Sequence, residues 1–315
     1  LLWVLDHTKT AMGKRLIRSW IEQPLINPAQ ILRRHNAVDE LGGDAMLRGD
    51  LAEYLRDIYD LERIMTRVVY GSANGRELRS LSQTIRRMDP IRERMAAVKS
   101  ALLCETRDEI DPLSDVYSLI ESAIVEDPPF SVREGGIIKE GFNAEVDELR
   151  FEMSDGKGII ARIEAQEKER TGIKGLKVGY NRVFGYYIEV SKSYTGEVPD
   201  TYIRKQTLAN VERYITQELK DLEARVLGAK DRVVALEYQL FTEVRLKVAG
   251  ELHRIQSTAQ AIARLDVLCS FAETAQRNKY TRPLIDLKGE IVIKNGRHPV
   301  VEAIQDTPFV PNDTL

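Results

Sequence analysis

Apolar residues recur every three or four positions along most of this chain, the period of a helix with one buried face. Leu16, Ile17, Trp20 and Ile21 form such a stripe in a segment that Asp6 or Thr8 can cap and that Pro24 stops after Glu22. In "NPAQILRRHNAVDEL", Asn27 supplies an N-cap and Pro28 takes the first helical position, where its missing N–H costs nothing. The period continues from Leu47 to Leu103, with boundaries expected at "YGSANG" and at Asp89-Pro90. "EDPPFSVREGGIIKEG" is the strongest linker and turn signal, and it closes this helical block.

A narrower pattern follows. Val146, Leu149, Met153, Gly156, Ile160 and Ile163 alternate spacings of three and four toward Arg170, a heptad seam with a kink expected at "SDGKG". Leu219, Leu222, Val226, Ala229, Val233, Leu236 and Leu240 form a second seam. Between the two lies "LKVGYNRVFGYYIEVSKS", residues 176–193, whose period is that of strands. Each narrow stripe needs a partner, so the economical geometry is an antiparallel pair of long helices with a small antiparallel sheet at its tip, over about 172–206. A helix over 143–170 spans about 40 Å, which displays the insert far from the main body. The arm should hinge near "IIKEG" and over Leu240 to Leu252, and the returning helix should re-enter the helical block through "AIARLDVLCSFAETAQR". The fold class is therefore mainly α, a multi-helix core bearing a β-tipped helical arm. At the end, "EIVIK" reads as a strand and Asn295-Gly296 as a turn, the start of a new α/β or β segment.

Composition narrows the functions open to such a fold. The chain has 315 residues, 43% of them hydrophobic, with a formal charge of −3 from 46 basic and 49 acidic residues. The molecule as a whole is thus not drawn to polyanions, and any such site must be local. Cys104 and Cys269 lack CxxC spacing and read as core thiols of a reducing cytosol, and the four histidines make no metal pattern. No apolar run reaches the roughly 18 residues of a membrane span, and no secretory leader is visible. The start at Leu1 and the abrupt end at Leu315 suggest an excised fragment. A GxxxxGK[ST] loop is absent, so no triphosphate cradle is expected and no catalytic residue is assigned.

The local charge lies in the β insert. Residues 172–214 hold seven basic residues, Lys174, Lys177, Arg182, Lys192, Arg204, Lys205 and Arg213, against four acids, a net of +3. With Asn181, Ser191, Ser193, Thr207 and Asn210 this is an inventory for phosphate oxygens rather than for base edges. A solvated β-module whose lysines only keep it soluble is the bland alternative. Tyr180, Tyr186 and Tyr187 either stack on bases or fill a small core. His298 in "GRHP" invites a catalytic role, though a packed or capping histidine accounts for it better.

"RHNAVDEL", "GFNAEVDELR", "LKVGYNRVFGYYIEVSKS", "RKQTLANVERYIT" and "NGRHPVVEAI", in this order, resemble the MutS DNA mismatch-recognition proteins over essentially the whole chain. The resemblance implies a helical core and lever at 1–142 and about 217–284, a clamp at 143–216, and the first edge of an ATPase domain at 285–315. It also implies two clamp tips closing around duplex DNA and touching its backbone. The charge and polar inventory of the tip, together with the resemblance, assign that role to Lys177, Asn181, Arg182, Lys192, Arg204, Lys205, Thr207 and Asn210. ATP and magnesium would belong to the full-length parent. Phe309 and Val310 fall where the family's adenine-binding edge begins, although Phe309 reads equally as a buried strand residue. The family's base-probing Phe-x-Glu belongs to a domain absent here, and its local matches at Phe241-Thr242-Glu243 and Phe271-Ala272-Glu273 read as coincidence. Expected partners are double-stranded DNA, a second full-length copy and repair proteins, in the cytoplasm and without a membrane. The competing class is a structural helical assembly module whose tip docks proteins.

Overall fold

The computed structural model describes residues 1–181 and 185–315; the side chains of Glu152, Ser154, Asp155, Gly156, Lys157, Ile159, Val226 and Leu227 lie outside that description. In order come α1 (Leu2–Leu5), α2 (Ala11–Glu22), α3 (Pro28–Gly43), α4 (Ala45–Arg56), α5 (Leu61–Val69), α6 (Gly75–Ile85), α7 (Met88–Arg94), α8 (Ala101–Glu109), α9 (Ser114–Ala123) and α10 (Ala144–Thr171). Then follow β1 (Lys177–Asn181), β2 (Gly185–Ser191), β3 (Ile203–Thr207), β4 (Val211–Ile215), α11 (Gln217–Gly250), α12 (Leu252–Asn278), β5 (Ile293–Gly296), α13 (Pro299–Ile304) and β6 (Asn312–Thr314). The chain is mainly α with a small antiparallel sheet, and it divides into two compact units, Leu1–Glu126 with Glu243–Leu315, and Asp127–Thr242.

In the first unit α12 is the central rod, packed against α2, α3, α4, α5 and α8. Ile255, Ala259, Ala261, Ile262, Leu265, Leu268 and Ala272 are all buried, so α12 is apolar around its circumference, as a helix enclosed by others must be. Its alanines let the neighbours approach. Asn27 caps α3 through the Ala29 and Gln30 N–H groups with Pro28 next, and Asn74 and Glu77 form a reciprocal capping box on α6.

Two local expectations need correction in this unit, and a third is met. The N-cap of α2 is Thr10, whose hydroxyl accepts from the Gly13 N–H, because Asp6 is spent on the Thr8 N–H and hydroxyl. The boundary expected at Asp89-Pro90 is there, α6 ending at Ile85 and α7 starting at Met88 with Pro90 in its first turn, where proline loses no hydrogen bond. Asn295 and Gly296 end β5 instead of following it, with Asn295 at φ 53° beside a register shift against β6.

In the second unit the two seams meet. Leu149 packs with Ala229 and Val233, flanked by Met153 and Leu236. Ile163 packs with Leu219 and Leu222. As one numbering rises the other falls, so α10 and the first part of α11 run antiparallel. α10 is one helix of 28 residues, its helical backbone unbroken through 154–158. Its register is pinned at one end by Glu237, a carboxylate 1% exposed that accepts from the Ile137 N–H at 2.8 Å and from Arg150 Nη2 at 2.9 Å. At the other end four strands pair in the order β1-β2-β4-β3, all antiparallel. The sheet runs to Ile215, past the residue 206 that period alone assigned, because a short turn at Leu208–Asn210 returns β3 onto β4.

Candidate nucleic-acid interface

Strand alternation sorts the sheet into two faces. Ile188, Val190 and Tyr214 point inward and join Ile163, Ile173, Leu176, Tyr202, Leu219 and Leu222 in one core. Tyr186 packs on the same core, and burial raises its hydroxyl above the ordinary tyrosine range. Lys177, Gly179, Tyr187, Glu189, Gln206 and Arg213 share the other face, since Lys177 pairs with Glu189, Gly179 with Tyr187, and Arg213 with both Glu189 and Gln206.

On that outer face the Tyr187 ring lies where a side chain at Gly179 would stand, 2.8 Å from the position of a Cβ. The Arg213 guanidinium sits 4.3 Å from the Tyr187 ring centre and donates to Glu189 at 3.0 Å and to Gln206 at 3.1 Å. One of the seven basic residues of the insert is therefore fixed and neutralised. Of the three tyrosines weighed for stacking on bases, Tyr186 is core, Tyr187 is covered by Arg213, and Tyr180 alone is exposed, at 57%.

The sequence-predicted residues do not converge on one spot. Asn181 ends β1 opposite Gly185, and Arg182 lies outside the described residues. Lys192 follows β2, and its N–H donates to the Asn210 carbonyl at 3.1 Å, which joins Lys192 and Asn210 at the opposite end of the sheet. From Gly185 to Lys192 is seven strand steps, about 23 Å. Arg204, Lys205 and Thr207 lie on β3, an edge strand, with Lys205 at a bulge between Arg204 and Gln206. Lys177 starts β1 on the other edge. Five of the eight residues thus gather along β3 and the Lys192 end, Lys177 stands on the far edge, and Asn181 is remote.

Electrostatics separate these five further. Arg204 contacts Glu212 at 3.4 Å, whereas Lys192 and Lys205 are exposed and form no ion pair among the described residues. The Tyr214 hydroxyl and, less strongly, Arg204 hold the Glu212 carboxyl below the usual carboxylate range. Burial and the Glu212 carboxylate push Tyr214 up to about 12. Tyr202 donates to Glu167, to which Arg170 also donates, an anchor between the sheet and the end of α10. Sequence reasoning missed this anchor and the Gly179–Tyr187–Arg213 clasp. The signal for the clasp was a lone glycine inside alternating strand sequence, which marks a close approach.

The remaining candidates are far less organised. His298 caps α13, its Nδ1 accepting from the Val301 N–H at 3.3 Å. Phe309 is half-buried and lies in irregular chain before β6, not in a strand, because pairing with β5 begins only at Asn312; Val310 is 73% exposed. Phe241 is buried in α11, and the ring of Phe271 lies 6.2 Å from that of Trp20, so both Phe-x-Glu matches are packing residues. Burial drives the Cys269 thiol far above its ordinary range. Among the described residues no cluster of three or more His, Cys, Asp or Glu side chains could hold a metal, and no helix is long and apolar enough to cross a membrane.

Comparison with known proteins gives this geometry its context. The family model described as MutS domain III matches residues 1–272. "DNA mismatch repair protein MutS" of Acetivibrio thermocellus is 57% identical over 315 residues, covering all of this chain and 36% of the relative. The proteins of the same name from Symbiobacterium thermophilum and Lachnoclostridium phytofermentans are 53% and 51% identical, again over the whole chain and over 36% and 34% of their own lengths. The chain therefore spans about a third of the length of the curated relatives it matches. With the family model covering most of the chain and half or more of the residues identical to those of each of these relatives, the chain belongs to the MutS family.

Proposed function

We propose that this chain is the part of a DNA mismatch repair protein that grips duplex DNA by its backbone and transmits the state of a nucleotide site elsewhere in the parent. Residues 1–142 and 217–284 act as core and lever, 143–216 as clamp, and 285–315 as the first edge of an ATPase domain. The observation that carries the reading is the alignment of Lys192, Arg204, Lys205, Thr207 and Asn210 along one edge and one end of a sheet, with Lys192 and Lys205 exposed and in no ion pair among the described residues. Exposed cations beside hydroxyl and amide groups suit phosphate oxygens rather than base edges. Lys177, Asn181 and Arg182 serve the same duplex from the remainder of the tip.

The chemistry of hydrolysis lies outside this chain. Its sequence has no phosphate loop, so ATP and magnesium act in the full-length parent, with Phe309 and Val310 at the adenine edge. The parent works as a dimer in the cytoplasm, two clamp tips closing one ring and repair proteins reading its state. The alternative, an assembly module whose tip docks proteins, draws support from the exposed Tyr180 and Ile203.

Salt separates the two readings. Neutralising roughly two to four phosphates predicts that log affinity for duplex falls against log salt with a slope of about −2 to −4. Fluorescence anisotropy with matched and mismatched duplexes measures it on a dimer-competent parent. K192E/K205E should weaken both duplexes equally and leave helical content unchanged. Affinity indifferent to salt and to these substitutions would favour protein docking.

A further inference from the structure

A second site, independent of the clamp, lies in the helical unit. Arg34 of α3 stacks on Trp20 of α2 with its guanidinium carbon 3.4 Å from the ring centre, at the wall of a cavity of about 280 Å³. Arg33 and Arg264 also line this cavity, as do Leu25, Leu102 and Glu105. Every cation but one has a carboxylate. Arg33 pairs with Glu105, and Arg264 pairs with Glu109 at 2.7 Å and reaches Glu105 at 3.7 Å. Arg34 is the exception among the described residues: half-buried, with no carboxylate and with Arg264 as its charged neighbour. Three guanidinium groups face two carboxylates, so the pocket is one negative charge short.

A stacked arginine could serve packing alone, since cation–π contact on tryptophan is favourable by itself. Packing does not account for a second cation beside it in a partly desolvated place, where burial and Arg264 together lower the affinity of Arg34 for its proton. Nor does it explain the open, partly apolar cavity in front. An incoming monoanion would complete the charge balance, and Leu25, Leu102 and the edge of Trp20 would receive an apolar neighbour of that anion. A phosphate dianion would overshoot the balance next to the Glu105 carboxylate. The volume sits just under the roughly 300 Å³ of small drug-sized sites, enough for two side chains.

We propose that Arg34, Trp20, Leu25 and Leu102 form a docking site for a peptide segment of a partner protein carrying a carboxylate next to an aliphatic side chain.

The test uses this chain with Trp3→Phe, which leaves Trp20 as the sole emitter of the two tryptophans. Titration with acetyl-Leu-Glu-Leu-amide should change Trp20 fluorescence saturably with Kd on the order of 1 mM, as befits one charge-assisted contact plus limited apolar burial. R34Q should weaken binding about tenfold or more, and R34K, which keeps the charge without the planar fork, should fall between. Circular dichroism verifies that both variants fold. The proposal is overturned by the absence of a saturable change, by unaltered binding to R34Q, by equal binding of the Leu-Gln-Leu peptide, or by inorganic phosphate binding as tightly as the acidic peptide. K192E/K205E, which disables the proposed DNA edge, should leave peptide binding unchanged, so the two proposals fail separately.

Discussion

Glu237 of α11 accepts a hydrogen bond from Arg150 of α10 at 2.9 Å while its second carboxylate oxygen holds the backbone N–H of Ile137 at 2.8 Å. Three segments of one unit, the entering linker and both long helices, are thereby tied to a single carboxylate that is 1% exposed. Arg150 also donates to the Ile138 carbonyl at 2.6 Å, which closes the knot.

Glu237→Ala should cost about 3–5 kcal/mol of the stability of this unit, because it leaves the buried N–H groups of Ile137 and Ile138 without their acceptor and the Arg150 guanidinium without its buried carboxylate. Arg150→Met, which removes the other charge but keeps the aliphatic stem, leaves Glu237 its backbone donors and should cost less. Denaturant melts of both variants measure the order. A milder effect of Glu237→Ala than of Arg150→Met would contradict the carboxylate as the centre.

Acid should loosen the sheet. Burial tends to raise the Glu167 carboxyl, but the hydrogen bonds from Arg170 and Tyr202 outweigh it and hold the folded value below the usual range. A depressed carboxyl adds stability that is complete above the unfolded value of about 4.3 and is lost as pH falls through the folded one. Glu212 shifts in the same direction. Amide exchange of β2 and β4 should therefore accelerate below about pH 4. Tyr202→Phe should reduce this acid loss while lowering stability at neutral pH; an unchanged pH profile would count against the anchor.

Two glycines in helices should respond with opposite signs. A Cβ on Gly13 would stand 2.2 Å from Asp266 Oδ2, a buried oxygen held by the Thr10 N–H at 2.8 Å and the Thr10 hydroxyl at 2.7 Å. That carboxylate cannot move without losing its donors, so Gly13→Ala should destabilise by about 1–3 kcal/mol despite the better helix former. Gly49 in α4 has nothing within 4 Å of such a Cβ, and Gly49→Ala should stabilise by about 0.5–1 kcal/mol. Thermal melts decide, and the same sign at both positions would refute the packing argument.

The two ends of the sheet should contribute unequally to DNA binding. Lys192 and Asn210 meet at one end while Asn181 stands about 23 Å from Lys192 along β2. K192E should flatten the salt slope by about 1, as expected for one lost phosphate contact, whereas Asn181→Ala should leave the slope unchanged. Anisotropy titrations at several salt concentrations test this. A flattened slope with Asn181→Ala would move the duplex toward the other end.

The chain's sequence alone determined the class of each segment. The 3-4 spacing from Val146 to Ile163 and from Leu219 to Leu240 specified two helices that needed each other, because a narrow apolar stripe is stable only when covered. Asn27-Pro28 specified a helix start, since capping chemistry is local. Period-2 sequence around Tyr186 and Ile188 specified strands. Other outcomes depend on groups far apart in the chain. Thr10 became the cap of α2 because Asp266, 256 positions later, holds its N–H. Glu237 looked like an ordinary polar position between seam residues, and its burial follows from the linker's N–H groups 99 and 100 positions earlier. The same holds for charge. Composition counted seven cations in the insert but could not tell that Glu189 and Gln206 take up Arg213, that Glu212 meets Arg204, or that Lys192 joins Asn210 across a sheet end, because strand order and register place those partners. Periodicity reports how one residue faces its own neighbours, and which cations remain free is settled by pairing between strands that the chain brings together only on folding.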